Sequence, residues 1–133
     1  MVHLKTNMAN AAHNLAQMAC QPTLFHLKFT MPLKALNPFA VVLEDKDAIT
    51  ASGFVWIHWL IADLERTVIH ENESQTATDY VQGANTWASK LGQFDIEEAS
   101  FYGGMAPPNC LHRYELIVYA LDTKLNLKPG FRF

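Results

Sequence analysis

The chain has 133 residues, half of them hydrophobic and 17% charged, with a formal charge of −3. That length fits a single domain spanning residues 1–133, and the apolar fraction supports a packed core rather than disorder. The ten Lys and Arg are scattered singly, with no basic stripe, so the reading is no nucleic-acid partner. Cys20 and Cys110 form neither a disulfide framework nor a zinc spacing, and no apolar run reaches the about 20 residues of a membrane span. Without a signal-peptide layout at the N-terminus, the expected setting is cytoplasmic, and Asn72-Glu73-Ser74 reads as a chance sequon.

Residues 6–20, TNMANAAHNLAQMAC, place Met8, Ala11, Ala12, Leu15, Met18 and Ala19 at helical spacing, and Pro22 breaks the run. From there the pattern becomes β. Residues 24–30 alternate loosely, and residues 39–44 (FAVVLE) form an apolar run between Asn37-Pro38 and Asp45. Residues 55–62 are apolar on both faces, which marks a central strand, with His58 at the middle sharing a face with Trp56 and Leu60. Residues 63–100 lose periodicity in a polar stretch expected to wrap the surface with short turns. Residues 114–121 (YELIVYAL) make the last strand, aligning His112, Tyr114, Leu116, Val118 and Ala120 against a more polar face of Arg113, Glu115, Ile117 and Tyr119. The sum is a mainly β domain with long excursions.

Four groups carry candidate chemistry. They are Asp45-Lys46-Asp47-Ala48 at a strand end, His58 beside Trp56, the turn-forming Tyr102-Gly103-Gly104-Met105-Ala106-Pro107-Pro108, and Cys110-Leu111-His112-Arg113-Tyr114. Asp45 continues the line of Phe39, Val41 and Leu43, and so belongs on their face. Singly, each has a plain alternative: Asp-x-Asp as a turn cap, His58 as a core histidine with one local hydrogen bond, and Gly-Gly with Pro-Pro as a loop.

In this order, Asp-x-Asp-Ala, His-Trp, Tyr-Gly-Gly with Pro-Pro, His-Arg-Tyr opening an apolar strand and the tail YALDTKLNLKPGF, the chain resembles the phosphatidylethanolamine-binding protein family. This is also called the Raf kinase inhibitor protein family, and the likeness is to its small bacterial members over residues 39–131. Lys46 and Ile49 stand where the family's Asp-Pro-Asp-x-Pro signature has prolines. Residues 1–20 lack the family look, and the chain ends at Phe133, short of the family's further helix and strand, so the resemblance implies a truncated C-terminus, uncovered apolar surface and a possible homo-oligomer.

The resemblance implies an antiparallel β-sandwich with long loops and little helix. It also implies a non-catalytic pocket for a phosphate-type anion or phosphorylated small molecule, with no cofactor and no metal. The implied lining is Asp45, Asp47, Ala48, Trp56, His58, Gly103, Gly104, Pro108, His112 and Tyr114. In it His58 and His112 each present an N–H to the anion, and Asp45 or Asp47 fixes an imidazole tautomer. Tyr114 adds a hydroxyl, the backbone N–H groups of Gly103 and Gly104 approach closely, and Trp56 and Pro108 supply a dry wall. Three rival readings stand beside it. Two Asp and two His suggest a divalent-metal site, and Cys110 with His112 suggests a hydrolase. A surface that regulates a kinase or another unknown protein partner is the alternative from a different class.

Overall fold

The computed structural model describes residues 38–108 and 110–133, together with the backbone of Val2–Lys5 and Leu27–Lys28. The helix expected over residues 6–20 lies outside the described residues, as does most of the strand expected over residues 24–30. Seven strands are present among the described residues: β1 Val2–Lys5, β2 Leu27–Lys28, β3 Phe39–Asp45, β4 Trp56–Leu64, β5 Val68–Ile69, β6 Val81–Gly83 and β7 Arg113–Ala120. One short helix, α1 (Ile49–Ser52), and two 3-10 turns, Glu73–Gln75 and Thr86–Ala88, complete the set.

The strands form a five-stranded sheet in the order β1-β7-β3-β4-β6 and a two-stranded sheet of β2 and β5, with every pairing antiparallel. The sequence explains the centre of the large sheet. The β-branched and aromatic residues of β3 and β7 suit a pleated, half-buried surface. Their in-register ladder sets Leu43 opposite Leu116 and Asp45 opposite Tyr114. Phe39, Val41 and Leu43 then meet Trp59, Ile61, Leu64, Tyr114 and Leu116 on one face. Ile69 of β5 is buried in the same cluster, so the small sheet packs onto the large one as a second layer. Each aliphatic side chain buried this way contributes about 1.5–3 kcal/mol.

On the opposite face, the C-terminal tail packs at β6 and Leu60. Phe131 lies against Gly83 and Leu60 so closely that a Cβ on Gly83 would sit 2.6 Å from the Phe131 carbonyl oxygen. The backbone supports this contact, with Ala84 N–H donating to Phe131 O at 2.8 Å and Gly130 N–H to Gln82 O at 2.9 Å.

Strand β4 is irregular in two places, and this changes the expected face of His58. Leu43 pairs with Trp59 but Glu44 pairs with Ile57, so His58 is an extra residue in the β4 side of the ladder. Such a bulge interrupts alternation and turns two adjacent side chains toward one face. Trp59 enters the core, His58 and Trp56 line a cavity, and Ile57 and Leu60 line a groove on the far face. Sharing a face with Trp56 is thus as expected, whereas Leu60 points the other way. The second irregularity lies at Asp63, whose φ of 58° inserts another residue before Leu64.

Within the polar stretch of residues 63–100, short turns occur as expected, but β6 also extends the large sheet. The residues of the 3-10 turn Thr86–Ala88 are tied to β4, since Ile57 N–H donates to Thr86 Oγ1 at 2.7 Å.

Candidate ligand-binding site

The ends of β3, β4 and β7 and the loop of residues 101–108 enclose a cavity of about 350 Å³. Its floor is polar: Asp45, His58, His112 and Tyr114. Its walls are apolar, from Ala48 and Ala51, from Trp56, and from Trp87, Leu91, Ala106, Pro107 and Pro108.

Asp45 ends β3 and organises both the turn after it and the start of β7. Its Oδ1 accepts the Ala48 N–H at 3.1 Å, the turn-cap role open to any Asp in this position, while Oδ2 accepts from His112 Nδ1 at 2.7 Å. Both partners are buried. Asp47 does not line the cavity; its carboxylate accepts the Arg113 N–H at 2.7 Å and fixes the start of β7. Where the family signature has prolines, the exposed Lys46 reaches Glu44 and Glu115 at 3.0 and 2.6 Å, and Ile49 opens α1. The turn is therefore held by side-chain pairing in place of ring rigidity.

His58 is 4% exposed. Its Nδ1 lies 2.9 Å from the Gly103 carbonyl oxygen, and the Gly103 N–H donates back to the His58 carbonyl at 2.8 Å. A carbonyl only accepts, so Nδ1 carries the proton. Burial pushes the imidazole below its ordinary pKa of 6.5, opposed by the Gly103 bond and the Asp45 charge. The ring is accordingly neutral, and Nε2 holds a lone pair. This corrects two expectations: His58 presents an acceptor, not an N–H, and the Gly103 N–H is committed to His58 and does not line the cavity. Gly103 serves instead as a close-approach point, since a Cβ there would sit 2.9 Å from Trp87 Cδ1 and 3.0 Å from Asn85 Nδ2.

The loop bearing Gly103 is fastened from behind. Trp59 Nε1 donates to Gln82 Oε1 at 2.7 Å, Ser74 Oγ donates to the same oxygen at 2.8 Å, and Tyr102 N–H donates to Ser74 Oγ at 2.8 Å. Tyr102 itself is buried enough to push its phenol up to about 12.

Tyr114 stands between the two histidines, its ring centroid 5.3 Å from that of His58 and 6.5 Å from that of His112. Burial first, and then the Asp45 charge, raise its phenol pKa, so the hydroxyl keeps its proton. Three buried polar atoms of lining residues have no hydrogen-bond partner: His58 Nε2, Tyr114 Oη and Trp87 Nε1. Leaving such atoms unpaired costs about 1–3 kcal/mol each, a cost that a polar ligand relieves. No lysine or arginine lines the cavity among the described residues, and Asp45 supplies its carboxylate.

Of the residues singled out from the sequence, Asp45, Ala48, Trp56, His58, Gly104, Pro108, His112 and Tyr114 share this cavity. Ala51, Ser52, Trp87 and Leu91 line it too and escaped sequence reasoning. Trp87 lies in the stretch without periodicity, yet its indole meets Trp56 edge-on at 5.3 Å and stacks on Phe94 at 5.4 Å. Cys110 is exposed and does not line the cavity. Among the described residues no three His, Cys, Asp or Glu side chains converge as metal ligands, and no helix is long and apolar enough to cross a membrane.

The antiparallel sheet with its end-on pocket defines a small β-sandwich domain. Its residues 4–133 match the family model for phosphatidylethanolamine-binding protein, and the chain belongs to that family. It is 43% identical over 96 residues to the YxkA protein of Bacillus subtilis, covering 69% of this chain and 57% of that protein. It is 35% identical over 96 residues to a UPF0098 protein of Methanothermobacter thermautotrophicus, covering 68% and 55%. The chain thus spans a little over half the length of these relatives. Among solved structures, a protein described as a phosphatidylethanolamine-binding protein homologue from Chlamydia trachomatis superimposes with a TM-score of 0.59 at 27% identity, covering 76% of this chain and 60% of that one. YbcL of Escherichia coli gives 0.56 at 26% identity, covering 75% and 59%.

Proposed function

We propose that this chain binds small phosphorylated molecules without transforming them, seating the phosphate on the cavity floor and the organic part against the tryptophan and proline walls. The observation that carries the reading is the pair of buried, unpartnered polar atoms, His58 Nε2 and Tyr114 Oη, at the end of an apolar cavity. A dry wall strengthens each hydrogen bond made at such a floor. The non-catalytic reading is supported by the placement of nucleophiles. Ser52 lines the cavity, but its hydroxyl faces the carbonyls of Ala48 and Phe54 at 2.9 and 2.8 Å, and Cys110 lies away from the cavity. With Asp45 in the lining and no Lys or Arg among the described residues there, a phosphate anion binds more tightly as pH falls and protons accompany it.

The test is titration of inorganic phosphate followed by tryptophan fluorescence, since Trp56 and Trp87 both line the cavity. Wild type should give a saturable change, larger at about pH 6 than at about pH 8, that His58→Ala loses. Equal responses in the two proteins, or none in either, would refute the reading.

A further inference from the structure

Resting on that reading, we infer that the pocket selects phosphates that bring their own proton, taking phosphomonoesters as monoanions and discriminating against phosphodiesters. The geometry at His58 carries this. The ring is 4% exposed and its Nδ1–H is held by Gly103 O, while the Gly103 N–H holds the His58 carbonyl in return. Turning the ring over would set Cδ2–H against the Gly103 carbonyl and lose the Nδ1–H bond. The tautomer is therefore fixed, and Nε2 stands as a buried acceptor with no partner.

The groups facing His58 offer no remedy. Asp45 from β3 is an acceptor whose two oxygens already take Ala48 N–H and His112 Nδ1. His112 and Tyr114 come from β7, and the Gly103 and Gly104 backbone comes from the loop. Among these, the Tyr114 hydroxyl is a donor for a second ligand oxygen. The oxygen that reaches Nε2 must itself carry hydrogen. A phosphomonoester monoanion has a P–OH to place there and acceptor oxygens for Tyr114. The phosphate of a diester at neutral pH has acceptors alone, so it sets lone pair against lone pair.

Binding of a monoester therefore consumes a proton. Above the second phosphate pKa of roughly 6 a free monoester is a dianion, and the complex forms from the site, the dianion and one proton. Whether that hydrogen rests nearer oxygen or nitrogen, one proton is taken up. A diester reaches the same hydrogen count at this contact by protonating the buried ring, against its desolvation.

The experiment compares phenyl phosphate with methyl phenyl phosphate by calorimetry on the 133-residue chain, at about pH 7.5, above the second phosphate pKa, in two buffers of different ionisation heat. The monoester should bind at least about tenfold more tightly than the diester, with uptake of close to one proton, as expected where a buried acceptor is left unpaired. His58→Asn, whose amide offers a donor as well as an acceptor, should erase the preference. In wild type, long-range proton–nitrogen spectra should show Nε2 bare in the free protein and hydrogen-bonded on adding phenyl phosphate, a readout independent of whether the variant folds. Equal affinity for the two esters, or no proton uptake, would overturn this proposal and leave the phosphate-pocket reading standing. Failure of both esters to bind would overturn the two together.

Discussion

His58 and Gly103 hold each other twice, ring nitrogen to carbonyl at 2.9 Å and amide to carbonyl at 2.8 Å, across 45 residues of sequence. The bulge in β4 turns the imidazole toward the cavity, and the second bond pins the loop that forms the opposite wall. A side chain at Gly103 would break this arrangement. Gly103→Ala puts a methyl 2.9 Å from the Trp87 indole, so that wall must shift. The expected loss is about 1–3 kcal/mol of stability by urea unfolding, with a changed tryptophan emission spectrum in the folded protein.

Neutral, buried His58 makes stability depend on pH. Its folded pKa lies below the ordinary 6.5, so the unfolded chain gains a proton first as the solution is acidified. The stability is complete above 6.5 and declines below it, by at most about 1.4 kcal/mol per pH unit from this group. His58→Gln should flatten the wild-type slope just below pH 6.5, measured as urea midpoints at constant m-value. An unchanged slope would place the titrating group elsewhere.

Asp45 is the hinge of the polar floor, serving Ala48 N–H and His112 Nδ1 at once. Asp45→Ala leaves a buried histidine nitrogen and a turn amide without acceptors. A destabilisation of about 1–3 kcal/mol is expected, together with loss of the phosphate response in fluorescence. Asp47→Ala, which removes one exposed contact to Arg113 N–H, should cost less and leave the response in place.

Asp63 joins the sheet to the tail. Its carboxylate accepts the amides of Leu125 and Asn126 at 2.7 and 2.9 Å, while its own φ is 58°. Asp63→Gly removes the two bonds but suits the backbone; Asp63→Ala removes them and adds strain. Both should speed hydrogen exchange at Leu125 and Asn126. Asp63→Ala should be the less stable by about 1 kcal/mol.

Strand β7 was legible because its side-chain period shows in its burial, with Tyr114 and Leu116 buried and Arg113 and Tyr119 exposed, whereas β3 was legible as an apolar run buried on both faces. The cavity floor was legible through Asp45, His58, His112 and Tyr114, residue types that an apolar strand has little reason to carry. Strand β4 hid its bulge because it is apolar on both faces, so a slip of one residue leaves no trace in the pattern. That is why Leu60 was placed with His58. Trp87 and Leu91 were missed because the stretch carrying them is built of turns rather than a repeat, and what brings Trp87 to Trp56 is tertiary packing. The tautomer of His58 was beyond sequence as well, since it depends on a carbonyl 45 positions away.

The most direct measurement is a crystal structure of the chain with phenyl phosphate. The phosphate oxygens should lie about 2.5–3.2 Å from His58 Nε2 and Tyr114 Oη, with the phenyl ring against Trp56 and Trp87. Phosphate density bound elsewhere on the molecule, with the two floor atoms still unpartnered, would contradict the account.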